Sequence, residues 1–151
     1  MELVVVFGCP GFAVKPDAAQ AQVHGDACGQ DMTRRNLQLA ARDKRRPRDL
    51  GKDVQPTSVC SEVVLMPDVE LESGLLTVRV NGPMRHSSNF SKLICNPREL
   101  IGDLSLVHHL QPGDLICTGT PEAAGPVRPG DRIDGHIEGL GEIVLNIGPA
   151  D

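Results

Sequence analysis

Aromatic residues are almost missing from this 151-residue sequence, which has three Phe and neither Tyr nor Trp. Their scarcity removes the stacking platforms on which single-strand and RNA binders hold bases. An excess of positive charge is also lacking, because 20 Asp and Glu outnumber 15 Lys and Arg. No long-range field therefore draws in nucleic acid or an anionic membrane, and neither is expected as a partner. The five cysteines, Cys9, Cys28, Cys60, Cys95 and Cys117, are odd in number and form no C-x-x-C pair. That spacing argues against a zinc site or a disulfide framework and for a reducing compartment, with each thiol read as a small buried hydrophobe. No segment approaches the roughly 20 apolar residues of a spanning helix, and the apolar run after Met1 lacks a basic leader region. A single domain in the cytoplasm is the expectation. The Gly-rich stretch 119–130 lacks the G-x-x-x-x-G-K-[ST] spacing of a phosphate loop.

What is present is mostly strand-like. The run LVVVF at Leu3 to Phe7, ended by Gly8 and Pro10, predicts a strand buried on both faces in a sheet interior. From Thr33 onward, Leu37, Ala40 and Ala41 recur at helical spacing. Thr33 or Asp31 is placed to cap that helix of about three turns, and Pro47 ends the pattern. Leu75 to Val80 has strand propensity and leads into Asn81-Gly82, a hairpin signal because both turn positions need positive φ. A short helix is expected to start at Pro97. Two matching turns, QPGDLI at 111–116 and RPGDRI at 128–133, punctuate the last third, with strands expected at Leu115 to Cys117, Arg132 to Ile137 and Glu142 to Ile147. The Gly/Pro-rich loop TGTPEAAGPVRPG between the turns is a candidate for carrying function.

The stretch from Gly29 to Lys52 holds eight basic residues. With Asp31 in or just ahead of the helix, Asp31, Arg35 and Gln38 stand at i, i+4 and i+7, a carboxylate, a guanidinium and an amide on one stripe. Such a trio suits a hard cation beside an organic anion. Spacing alone favours the plainer reading, an Asp cap followed by a charged helix face, and Arg42, Lys44, Arg45 and Arg46 read as that solvated face. Adjacent His108 and His109 point in different directions and make no two-His site. His24, His86 and His136 have no local motif around them.

In order and spacing, QDMTRRNLQ, RPRDLGKD, SKLICNPRELI, LQPGDLICTGTPEAAGPVRPGDRI and IEGLGEIVLNI resemble the fumarylacetoacetate hydrolase family, and within it the fumarylpyruvate and acylpyruvate hydrolases. The resemblance covers nearly the whole chain from Glu2 onward. It implies a mixed α+β, β-rich fold, a β-roll with few short helices, usually dimeric. It also implies Mg²⁺ or Mn²⁺ and cleavage of a carbon–carbon bond in a 2,4-dioxo acid such as fumarylpyruvate. Glu2 matches one of the family's metal carboxylates and Asp31 another, while the first glutamate of the family's E-x-E pair has no counterpart. Arg35 and Gln38 match groups around the oxo-acid end of the substrate, Thr120 a substrate contact, and Lys52 the active-site lysine. The family's water-activating His and Glu fall on a segment before Met1, so the resemblance implies a domain without the N-terminal part of that fold and with activity weakened or lost. A homodimer and a small oxo-acid or dicarboxylate substrate are the implied partners.

A 2-oxo acid chelates such a metal through its carboxylate and keto oxygen, and the cation then orients and polarises it. Cleavage releases an enolate, whose charge Lys52 would neutralise as it develops. Oxaloacetate decarboxylation and dioate isomerisation pass through related enolates, so they stand as alternatives, together with a catalytically dead metal and dicarboxylate binder. Where the family shows YGY, RRDLQ, RPWDLGKDF and GVGP, this sequence has His24-Gly25-Asp26, Asn36, Arg48 with Val54, and Ala123-Ala124-Gly125. Asn36 removes a carboxylate beside Arg35. Each lost aromatic would bury on the order of 150–250 Å², so cavities are expected where they stood.

Overall fold

The computed structural model describes residues 1–53, 57–65, 71–120 and 125–149, so Val54, Ala123 and Ala124 and part of the 118–130 loop lie outside it. Its elements in chain order are β1 (Glu2–Phe7), α1 (Pro16–Ala19), β2 (Val23–Asp31), α2 (Arg35–Asp43), β3 (Ser58–Cys60), β4 (Leu75–Val80), β5 (Met84–Asn89), α3 (Pro97–Val107), β6 (Leu115–Cys117), β7 (Arg132–Ile137) and β8 (Gly141–Asn146). Short 3₁₀ turns follow α1, precede Lys52 and follow β5. The strands form two four-stranded antiparallel sheets, ordered β3-β2-β1-β6 and β5-β4-β7-β8. This is the expected mixed α+β, β-rich roll.

Every residue of β1 is buried. The strand lies between β2 and β6, as a continuous apolar run requires. Its close approach to β2 depends on glycine, because a Cβ on Gly29 would stand 2.4 Å from Cγ2 of Val4. Leu3 joins Met1, Cys28, Leu76, Phe90, Ile137, Leu140 and Ile143 in one cluster that binds the two sheets together. Val5 and Phe7 join Ala19, Val23, Ile101, Leu110 and Ile116 in a second cluster under α1 and α3.

The expected turns have local causes. Asn81 and Gly82 both take positive φ, 55° and 98°, and connect β4 to β5. In α3 the Asn96 side chain accepts from the Glu99 N–H while the Glu99 carboxylate accepts from the Asn96 N–H, and Pro97 fills the first turn. The two P-G-D turns share one geometry. Asp114 N–H returns to Gln111 O and Asp131 N–H to Arg128 O, each at 3.0 Å, across a glycine with φ 91°. Each Asp side chain also accepts the N–H of the residue that opens its turn, Gln111 at 2.7 Å and Arg128 at 2.8 Å.

Two local expectations need correction. α2 starts after Arg34 with no side-chain cap, so neither Thr33 nor Asp31 caps it; Asp31 is instead the last residue of β2. Of the described positions that depart from the family's aromatics, His24 and Arg48 are exposed, so no core cavity follows from them.

Asp26, by contrast, is buried. Its register partner is Val5, which turns its carboxyl toward the apolar side, and burial pushes its pKa up to about 6. The unfolded value is about 4. The folded state therefore holds this proton more tightly, and stability from this group is complete below pH ~4 and falls as pH rises through ~6. Asp26→Asn is expected to raise stability above pH 6 by on the order of 2 kcal/mol and to flatten the slope between pH ~4 and ~6. Urea midpoints across pH 4–8 measure both effects, and an unchanged slope would show that Asp26 is solvated.

Candidate active site

Register determines which side chains share a face. Glu2 pairs with Gly29, Gly29 with Cys60, Asp31 with Ser58, and Val4 with Cys117. Paired residues point the same way and alternate along each strand. Glu2, Asp31, Ser58, Cys60 and Cys117 therefore stand on one face of the sheet, opposite Leu3, Val5 and Cys28.

Glu2 is 5% exposed, and its Oε2 accepts the Gly119 N–H at 3.0 Å. Gly119 has φ 90°, a conformation that favours glycine. Thr118 sets that N–H in place, because its own N–H and Oγ1 both donate to Leu3 O, at 3.1 and 3.0 Å. The T-G-T segment is thus stitched to β1 through one carbonyl and one carboxylate. Thr120 follows directly and, with Thr118 and Gly119, lines a cavity of about 420 Å³ on the Leu3 side of the sheet, which none of Glu2, Asp31, Arg35, Gln38 or Lys52 lines.

At the far end of β2, the Lys52 ammonium donates to Asp31 Oδ2. The lysine backbone is pinned on both sides: its N–H donates to Asp49 O and its carbonyl accepts from Thr57 Oγ1, both at 2.7 Å. Arg34 N–H donates to Gly51 O at 2.8 Å, and a Cβ on Gly51 would lie 2.8 Å from Cβ of Gln38. The start of α2 is therefore seated on the turn that carries Lys52. Arg35 Nη1 donates to Gln38 Oε1 one helical turn on. Asp31, Arg35 and Gln38 do not form a stripe on one helix, because Asp31 belongs to the strand. Lys52 brings the carboxylate and the α2 pair to one place instead.

Electrostatics link the same groups. The Cys117 thiol is pushed up first by desolvation and then by Glu2, Asp31 and Cys60, with Lys52 pulling it down. Burial lowers the Met1 amino group, and Glu2 and Asp31 oppose that shift. Both carboxylates and Lys52 therefore lie within range of the Cys117 thiol.

Among the described residues no three His, Cys, Asp or Glu come close enough together to hold a metal by themselves. Two hard oxygen donors on one face nevertheless suit Mg²⁺ or Mn²⁺, which take one or two carboxylates and leave the remaining positions to water and substrate oxygens. Asp31 already receives a cation, the Lys52 ammonium, so its orientation is fit for positive charge.

Sequence reasoning missed three contributors. The Gly119 N–H is a backbone donor, visible only as an isolated glycine between two threonines. Cys60 and Cys117 were read as structural thiols; Cys117 reaches this face by pairing with Val4 across β1 and β6, and Cys60 by pairing with Gly29 of β2, which has no clear strand pattern.

The family model for the fumarylacetoacetate (FAA) hydrolase C-terminal domain matches residues 1–147. The chain is 56% identical to a fumarylpyruvate hydrolase from a Ralstonia species, over 100% of this chain and 79% of that protein. It is 36% identical to a mitochondrial oxaloacetate tautomerase of Oryza sativa subsp. japonica, over 97% of this chain and 66% of that one. Its fold superposes with a TM-score of 0.95 and 35% identity on a fumarylpyruvate hydrolase from Pseudomonas aeruginosa solved in complex with Mn²⁺ and pyruvate, over 99% of this chain and 64% of that one. The chain belongs to the fumarylacetoacetate hydrolase family, and it spans about two thirds to four fifths of the length of these relatives.

The raised Cys117 pKa gives a direct check on the site's electrostatics. At pH 8 fewer of its thiols are ionised than in a free cysteine, so alkylation by iodoacetamide is expected to be slower than for a model peptide. Glu2→Gln removes one of the carboxylates that hold the thiol up and is expected to quicken the reaction, as followed by peptide mass spectrometry. A rate independent of Glu2 would separate the two groups.

Proposed function

We propose that this chain carries the active site of a divalent-metal-dependent acylpyruvate hydrolase, which cleaves the carbon–carbon bond of a 2,4-dioxo acid such as fumarylpyruvate. The observation that carries the reading is the single face on which Glu2, Asp31 and Lys52 meet, tied to Thr120 through the T-G-T clamp. Two relatives support it. One is a fumarylpyruvate hydrolase with 56% identity, and the other was solved with Mn²⁺ and with pyruvate, the keto acid that such a cleavage would release.

In this reading Glu2 and Asp31 would hold Mg²⁺ or Mn²⁺, which would supply Lewis-acid polarisation of the oxo acid. Arg35 grips the substrate carboxylate by its planar fork, with Gln38 keeping the guanidinium oriented. Thr120, one residue past the Gly119 N–H that Glu2 holds, offers a hydroxyl. As water attacks the distal carbonyl and the carbon–carbon bond breaks, the electron pair moves onto the leaving pyruvate enolate. Lys52 meets that charge only as it develops, so its contribution is to the transition state rather than to substrate binding. A homodimer in the cytoplasm completes the proposal. The oxaloacetate tautomerase relative favours a second reading, since keto–enol exchange passes through the same kind of enolate.

Loss of the ultraviolet absorbance of an enolised dioxo acid, with pyruvate assayed as product, tests the hydrolase. Lys52→Met is expected to lower turnover by roughly 10²-fold or more with KM little changed. Asp31→Ala is expected to abolish the oxalate-assisted Mg²⁺ binding measured by calorimetry. Enolisation of oxaloacetate without release of pyruvate from acylpyruvates would transfer the assignment to the tautomerase, and Mg²⁺ binding indifferent to Asp31→Ala would refute the site.

A further inference from the structure

We infer that Lys52 is also the cation that a divalent metal must displace from Asp31, so that loading the metal is what releases the Lys52 ammonium toward the substrate. The inference rests on the reading of Asp31 as a metal carboxylate.

The geometry around Asp31 leaves one moving part. Asp31 is held at the end of β2 by its pairing with Ser58, and Glu2 is held by the Gly119 N–H. Lys52 is fixed at its backbone by Asp49 and Thr57, but its side chain is 43% exposed, against 22% for Asp31. An unbranched four-carbon stem that is nearly half in solvent is able to swing while its Cα stays put. Asp31 Oδ2, the oxygen that takes the ammonium, is the one that faces positive charge on this surface.

An ammonium and a divalent cation on the same carboxylate repel each other, and the compact ammonium lacks the charge to hold its place against a dication. Displacement leaves Lys52 beside the metal with a free donor and nowhere apolar to go. Asp31, which takes the ammonium, stands on the same face of the sheet as Glu2. A substrate whose oxo-acid end lies there develops its enolate charge within reach of Lys52. Lys52 thus has two successive partners, Asp31 and then the substrate, and the metal decides between them.

Competition makes a prediction that runs opposite to the usual loss on mutation. Mn²⁺ affinity, read from the free-ion electron paramagnetic resonance signal on the intact chain without substrate, is expected to tighten about three- to tenfold in Lys52→Met. Lys52→Arg keeps the charge and is expected to stay near the wild-type value. Lys52→Gln should tighten as Lys52→Met does, which guards against a fold defect in either variant, and circular dichroism reports the fold directly. Unchanged or weaker Mn²⁺ binding in the folded Met and Gln variants would overturn the inference, as would equal tightening in Lys52→Arg. Asp31→Asn separates this failure from that of the wider reading. If it abolishes Mn²⁺ binding while Lys52→Met changes nothing, the metal site stands and only the competition fails. If it leaves Mn²⁺ binding unchanged, Asp31 is not a metal carboxylate and both fall.

Discussion

The double burial of β1 is the constraint on which the rest of this structure depends. A strand with no exposed face must be paired along both edges and covered on both sides, and each requirement recruits a distant part of the chain. β2 and β6 supply the edges, from opposite ends of the sequence. Glycine at position 29 lets β2 come close enough, since any side chain there would run into Val4. On the core side, Leu3 reaches the second sheet while Val5 and Phe7 reach the two helices. The opposite side begins with Glu2, so the strand that organises the core also delivers a carboxylate to the site.

The two ends of the site are held by different physics. Glu2 is buried and answered by a neutral backbone donor, which stabilises its charge without cancelling it. Asp31 is more exposed and answered by a full charge on a flexible stem. The first arrangement is rigid because T-G-T is bonded to β1 at both the Leu3 carbonyl and the Glu2 carboxylate. The second is exchangeable, because partly exposed ion pairs contribute little to stability and are easily traded for a stronger partner.

Much of the fold was legible because particular segments carry unambiguous local chemistry. LVVVF has no polar alternation, Asn81-Gly82 accepts positive φ twice, and Asn96 with Glu99 caps α3, so these elements were found close to where they lie. The paired P-G-D turns looked like weak repeats and proved to be one turn geometry used twice. β2 was not legible, since VHGDACGQD has no hydrophobic period; it is a strand because β1 needs an edge partner with small side chains. The misplacement of Asp31 followed from that omission. Arg35 and Gln38 were raised by helical spacing and given their role by the family's motifs, whereas Glu2, Lys52 and Thr120 were named from the motifs alone, because residues brought together by register and by a 3₁₀ turn leave no periodic trace. The helix at 35–43 showed the right period, yet its apolar positions are not buried.

That last feature has an energetic consequence. α2 buries none of its side chains, and among the described residues it is seated by the Arg34 N–H bond to Gly51 and the close approach of Gln38 to that turn. A helix of nine residues is too short to persist on local propensity alone. Its amides are therefore expected to exchange with solvent through openings far smaller than those that expose the sheets. Arg35 and Gln38 ride on this loosely held unit, so in the proposed role the free energy of gripping an oxo acid would include the cost of ordering it. Solvent-facing substitutions on α2 that only raise helix propensity, with no contact to any ligand, would tighten binding by reducing that cost. Affinity in this protein is in that sense a property of how much of the time one short helix exists.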